Sequence, residues 1–269
     1  MFQDREEALD ASNTAPAMLP ATPGDHSGAG ALLSPSLQAR PGEAIPAFEV
    51  KFLLADALAA EVQAWAHRSM QLDAYGDPQR GGSYETTTLY LDTPQRDVFH
   101  RSPKHRSRKF RLRRYGSEGR VYLERKTRRG DRVQKWRSDV PLEELSALAT
   151  SDCPVGWPGA WFHERLQTRA LQPACRMTYE RTAFVQRTED GALRLTLDRQ
   201  IRGLATSDWT LLPLAAGHQI LPGQVICELK FRSGLPQLFK ELIQQLQLEA
   251  GSVSKYRRMM LATGELSGL

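Results

Sequence analysis

Polar and apolar residues trade places one by one in several separate stretches of this chain. Glu49 and Lys51 sit between Phe48, Val50 and Phe52. Lys109, Arg111, Arg113 and Tyr115 alternate with Phe110 and Leu112, and Tyr122, Glu124, Lys126 and Arg128 with Val121 and Leu123. Further on, Arg194, Thr196 and Asp198 oppose Leu193, Leu195 and Leu197, Glu228 and Lys230 oppose Cys227, Leu229 and Phe231, and Tyr179 and Arg181 share one parity. A period of two predicts strands with one polar and one apolar face. Strands are expected at 45–54, 84–93, 107–115, 120–128, 131–140, 177–187, 192–201 and 223–232. Turns are expected at Gly116–Gly119, Gly130 and Asp190-Gly191, and a loop at 76–82.

Helical spacing appears over 55–70, where Leu58, Val62 and Trp65 recur, and over 235–248, where Leu238, Leu242 and Leu246 share a face. Shorter helices are expected at 141–149, opening on Pro141, at 160–171, and after Ser252. Residues 1–44 are rich in Ala, Pro, Ser and Gly, show no period, and read as a disordered leader to an ordered domain over 45–269. Seven or eight strands with four or five helices make an α+β protein. The sheet should be mostly antiparallel, because several connections are too short for crossovers.

Charge sharpens this outline. The chain as a whole is +5, yet the stretch from Lys104 to Arg137 holds fifteen Lys/Arg against Glu118, Glu124 and Asp131, about +12. An ordinary half-buried sheet also alternates polar with apolar, so one such strand means little. Here strand after strand returns Arg or Lys on its polar face, and like charges facing each other across strands destabilise a sheet. A ligand of opposite sign resolves the conflict. Closing the sheet into an eight-stranded barrel turns the cationic faces into a narrow lumen and the apolar faces outward, under the helices. Such a lumen concentrates anions, and Arg suits phosphate through its planar fork. Glu49, Glu124 and Glu228 sit poorly with bare phosphate, but they fit if Mg²⁺ or Mn²⁺ bridges them to it.

In order, FEVKF, LYLDT, KFRLRRY, VYLERK, YERTAF, LRLTLD, ICELKF and SKY resemble the pattern of the vacuolar transporter chaperone (VTC) domain. That family belongs with the triphosphate tunnel metalloenzymes and is related to the CYTH group. The resemblance spans roughly residues 46–262. It implies an antiparallel eight-strand tunnel that binds triphosphate and a divalent metal, and, as in eukaryotic members, polymerisation of inorganic polyphosphate from ATP. Matched position by position, it implies that Arg111, Arg113, Lys126, Arg181 and Arg194 hold the triphosphate, with Lys51 and Lys255 near the reacting phosphates. The match also gives Lys135, Tyr179 and Ser254 as phosphate contacts and Glu228 as the metal ligand, while strand parity adds Lys109 and Lys230 to the phosphate contacts and Glu124 and Glu49 to the metal. Where the CYTH pattern reads E-x-E-x-K, this chain has Ala47-Phe48-Glu49-Val50-Lys51, which favours the VTC branch.

Other signals are weaker. Cys153, Cys175 and Cys227 lack metal-ligand spacing and read as reduced thiols. No apolar run approaches the ~20 residues that span a bilayer, and the acidic start lacks signal-peptide character, so a cytoplasmic protein is expected, with a membrane protein as partner for any exported chain. His100, His105 and His163 read as surface residues, and Asp73, Asp77 and Asp190 as turn residues. No G-K-[ST] follows a glycine-rich loop, which excludes a P-loop enzyme. Tyr115, Tyr122 and Trp136 could stack bases, but packing is the preferred reading, and nucleic acid is not the expected partner. Three functions stay open: a polymerase, a triphosphatase with water as nucleophile, and a non-catalytic polyphosphate-binding module.

Overall fold

A computed structural model describes residues 46–264; the expected leader at 1–44 lies outside the described residues. The alternating segments form strands β1 (Ala47–Ala55), β3 (Ser83–Asp92), β4 (Arg108–Tyr115), β5 (Arg120–Arg129), β6 (Arg132–Pro141), β7 (Gln172–Thr188), β8 (Gly191–Ala205) and β10 (Gln224–Phe231). Two two-residue strands, β2 (Gln71–Leu72) and β9 (His218–Gln219), attach to β7 and β8 and have no period for the sequence to show. Pairing runs β7-β3-β4-β5-β6-β1-β10-β8 and returns from β8 to β7. Eight antiparallel strands therefore close a ring.

The helices are α1 (Asp56–Ser69), α2 (Asp97–His100), α3 (Ala160–Arg169), α4 (Gln237–Gln245) and α5 (Lys255–Ala262). They cover the outside of the ring, where the apolar parity of each strand points. On one side Phe52, Leu54, Leu195, Cys227 and Leu229 pack with Val62 and Trp65 of α1 and with Phe239 and Leu242 of α4. On the other, Leu89, Phe110, Leu112 and Leu123 pack with Phe162 and Leu166 of α3 and with Tyr256, Met259 and Met260 of α5. Each such side chain, fully buried, contributes about 1.5–3 kcal/mol. The core is thus split into outer layers, and the middle of the molecule is polar.

Three local expectations shift. The segment after Pro141 is a 3-10 helix over Leu142–Ala149, and Pro141 is the last residue of β6 with extended backbone rather than the first helical residue. β7 begins five residues earlier than the alternation indicates. Pro173 is accommodated there because the β3–β7 register slips between Tyr90 and Leu91, where the missing N–H does not break the ladder. Gly130, at φ +57°, closes the β5–β6 hairpin in the left-handed region that glycine enters freely.

The ring has one thin seam. β1 pairs β10 over eight positions but β6 over only two, Ala47↔Val133 and Phe48↔Arg132. Beyond Phe48 the segment before α5 takes the place of β6: Ala250 bridges Phe52, and the Gly251 N–H donates to the Lys51 carbonyl at 2.7 Å. This wedge carries Val253, Ser254 and Lys255 into the wall of the lumen.

Candidate active site: a cationic lumen

Strand register places the charges. Lys109 lies opposite Lys126 and Arg111 opposite Glu124 across β4–β5, and Lys126 and Glu124 face Lys135 and Arg137 across β5–β6. On the far wall Glu49 faces Lys230 and Lys51 faces Glu228, Lys230 faces Arg194, and Arg181 faces Asp198. One interior cavity is lined by Lys51, Lys109, Arg111, Arg113, Lys126, Arg181, Glu228, Lys230, Ser254 and Lys255. These ten are positions expected from the sequence; Tyr90, Ile226 and Val253, which complete the lining, are not. Glu49, Glu124 and Lys135 are tied to its lining by ion pairs. Tyr179 stands beside it, its ring 5.4 Å from the Arg181 guanidinium and 4.8 Å from Lys255 Nζ. Arg194 is drawn away by Asp73, 2.6 Å from its Nη2.

Carboxylates partition the cations into groups. Lys51 Nζ contacts Glu49 and lies 2.7 Å from Glu228, while Lys126 reaches Glu49 at 2.7 Å and Lys230 holds the other oxygen of Glu228. Buried Glu124 takes Arg111 at 2.6 Å, Lys135 at 3.3 Å and Arg137 at 3.9 Å. Asp198 takes a two-pronged contact from Arg181 at 2.6 and 2.8 Å and a further one from Lys255. Lys109 and Arg113 have hydroxyl partners instead: Lys109 donates to Ser254 Oγ at 3.0 Å and Arg113 to Thr88 Oγ1 at 3.2 Å. Eleven cations thus meet five carboxylates, counting Asp73. The surplus is positive and enclosed.

That surplus shows in proton affinities. Burial, then the neighbouring Lys126 and Lys51, brings Lys109 down to about 7. Burial also brings Lys135 down to about 7 and Lys126 to about 8, although Glu124 and Glu49 respectively oppose it. Lys51 moves up: burial resists, but Glu228 and Glu49 outweigh it. Burial and Glu228 both push Glu49 upward, yet Lys126, Lys230 and Lys51 hold it near 2. Glu124, Glu228 and Asp198 are likewise held low against burial by the cations they touch.

Several residues escaped the sequence reading. In the sequence Asp198 shows only the lumen parity of its strand, and Arg137 only the end of a basic run. Asp73 does act in a turn, accepting the Tyr75 N–H at 3.1 Å, but its other oxygen serves Arg194 and the Tyr84 hydroxyl. Tyr75, Tyr84, Tyr115 and Tyr122 cluster there, with Tyr75 and Tyr115 rings 4.7 Å apart and Arg137 stacked 3.5 Å over Tyr122. Tyr115 and Tyr122 are therefore packed, as preferred above, and Trp136 packs with Trp161 beneath Arg125. His163 is a correction: it is a core residue, with Nε2 2.9 Å from the Thr150 carbonyl. Cys175 and Cys227 are buried free thiols and Cys153 is half-buried.

The metal expectation divides. Among the described residues no three His, Cys, Asp or Glu gather as a donor set. Glu49 and Glu228 do converge on one ammonium, Lys51, and two carboxylates plus phosphate oxygens suit Mg²⁺ or Mn²⁺. All three carboxylates are held by cations, but Glu49 and Glu228 share Lys51 between them. Glu124 is enclosed by Arg111, Lys135 and Arg137, with no second carboxylate on any of the three among the described residues, and it fits poorly.

The profile of the VTC domain matches residues 47–263. No curated protein matches the chain. Among solved structures, a candidate adenylate cyclase from Bacillus halodurans is similar at 13% identity and TM-score 0.46, over 77% of this chain and 92% of that one. A protein from Pyrococcus horikoshii OT3 is similar at 13% identity and TM-score 0.43, over 81% and 99%. A candidate adenylyl cyclase from Hippeastrum, described as having a dominant triphosphatase activity, is similar at 13% identity and TM-score 0.44, over 82% and 97%.

Proposed function

The chain belongs to the VTC domain family, and on that premise we propose that it is a phosphotransferase that extends inorganic polyphosphate with ATP as donor. The observation that carries this reading is the enclosed surplus of cations drawn from β1, β4, β5, β7, β10 and the segment entering α5. Phosphoryl transfer asks a protein chiefly for in-line positioning and for charge at the transferring oxygens. Arg111, Arg113, Lys126 and Arg181 would hold the triphosphate, Lys51 and Lys255 the reacting phosphates, and Arg194 the chain toward the tyrosine cluster. Lys109, Lys135, Lys230, Tyr179 and Ser254 would complete the cradle. Glu228 and Glu49 would hold Mn²⁺ or Mg²⁺, which when bound supplies charge neutralisation between phosphate oxygens. The acceptor, a terminal phosphate, is already ionised and requires no general base.

Hydrolysis is the second reading: with water in place of the terminal phosphate as nucleophile, the same cradle would release orthophosphate. Among the described residues no helix is long and apolar enough to cross a membrane. A cytoplasmic location, with a membrane-protein partner that would receive the product, is part of the same proposal. The test is incubation of the full chain with ATP and Mn²⁺ or Mg²⁺, with long polyphosphate separated from orthophosphate. Long chains are expected. Orthophosphate alone would replace the polymerase with a hydrolase, and absence of turnover with retained binding would leave a binding module.

A further inference from the structure

Outside the ring, at the end where Lys109 and Lys126 face inward, their chain neighbours Arg108 and Arg125 face outward. Arg165 and Arg169 of α3 come up beside them. Arg108, Arg165 and Arg169 line a cleft of about 740 Å³ together with Lys104 and His105. Arg125 lies next to it, its guanidinium 5.4 Å from the Trp136 ring.

Opposite charge is sparse. Asp97 lines the same cleft but is engaged with Thr93 at 2.8 Å, and exposed Glu164 lies 3.4 Å from Arg165. Arg169 donates to the Lys104 carbonyl at 3.3 Å. Among the described residues no carboxylate pairs with Arg108 or Arg125, and Arg125 Nε and His105 Nε2 are buried without a hydrogen-bond partner. Burial, then Arg108, Arg165 and Arg169, pushes Arg125 below its ordinary value, as expected of like charges held together. Fixed cations gathered this way destabilise the fold unless an anion joins them.

We propose that this outer cleft is a second polyanion site, which binds condensed phosphate chains independently of the lumen. The choice of condensed phosphate rests on the function proposed above and on the position of the cleft beside the Lys109–Lys126 end. Single-stranded nucleic acid fits less well, since it needs exposed aromatic faces for stacking, and the nearby Trp136 is covered by Arg125 and packed on Trp161.

The test is calorimetric titration of the full chain with tripolyphosphate and with long linear polyphosphate at several salt concentrations. The variant Arg165→Gln/Arg169→Gln is expected to weaken long-chain binding roughly tenfold and lower the salt slope by about 2, one per lost cation. Its tripolyphosphate affinity is expected to be unchanged. Arg181→Ala is expected to do the reverse, losing tripolyphosphate while keeping salt-dependent long-chain binding. Unaltered long-chain affinity and slope in the outer variant would overturn the second site, as would loss of all long-chain binding in Arg181→Ala. Tighter binding of single-stranded RNA than of polyphosphate by Arg181→Ala would also overturn it. Retained tripolyphosphate binding in Arg181→Ala would instead overturn the lumen assignment and leave the outer site standing.

Discussion

Nine of the eleven lumen cations are held by a carboxylate, and Lys109 and Arg113 by hydroxyls. Removing Arg181 leaves Asp198, only 2% exposed, with Lys255 alone. Breaking a buried pair costs about 3–5 kcal/mol, so Arg181→Ala should lower the melting temperature as well as abolish triphosphate binding. Arg181→Ala/Asp198→Ala should regain part of the stability and none of the binding, a separation that thermal melts and calorimetry on one set of variants can read. Equal loss of stability in the single and double variants would contradict the pairing. Parity made the cations legible in the sequence, because alternation fixes which face a side chain takes. It could not reveal which carboxylate each would meet. Asp73 reaches Arg194 across 121 residues, and nothing local to Asp73 beyond its turn announces that contact.

Within the ring of eight strands the thinnest pairing is the seam between β1 and β6. Only two residue pairs join the strands, and the rest of the β1 edge depends on the wedge at Ala250–Gly251. Gly251→Pro removes the N–H that donates to Lys51 and should cost about 1–3 kcal/mol, with a further loss of phosphate affinity as Lys255 is displaced. Gly251→Ala keeps the N–H, and its added Cβ meets nothing within 4 Å, so it should behave as wild type in both measurements. Long strands were readable because their alternation persists over many residues. The wedge was not, since a bridge and one hydrogen bond leave no period. Pro141 misled for a related reason: a fixed φ near −60° suits the first turn of a helix and an extended strand end alike.

For the whole molecule, titration gives a signed prediction. Lys109 and Lys135 near 7 and Lys126 near 8 lie below the ordinary lysine value. Between about pH 7 and 10.4 the unfolded chain would bind more protons at these sites than the folded one, so their penalty on stability eases as pH rises. Anion binding favours the charged forms and runs the other way. Tripolyphosphate binding at pH 7.5 should take up protons, visible as a dependence of binding heat on buffer ionisation enthalpy, and affinity should fall from pH 7 to 9. Binding without proton uptake would contradict the shifted lysines. At the acid end Glu49, Glu124, Glu228 and Asp198 are held low, so their contribution is present above their unfolded values, near 4, and is lost as pH falls toward 2.

Closure of the ring also decides how a polymer can be handled. On the function proposed above, a closed ring would admit a filament only by threading a free terminus, as a bead takes a string, and work on it would proceed from its tip and never by a cut at mid-length. Large cyclic phosphates, which have no tip to offer, should pass unprocessed beside linear ones of the same charge.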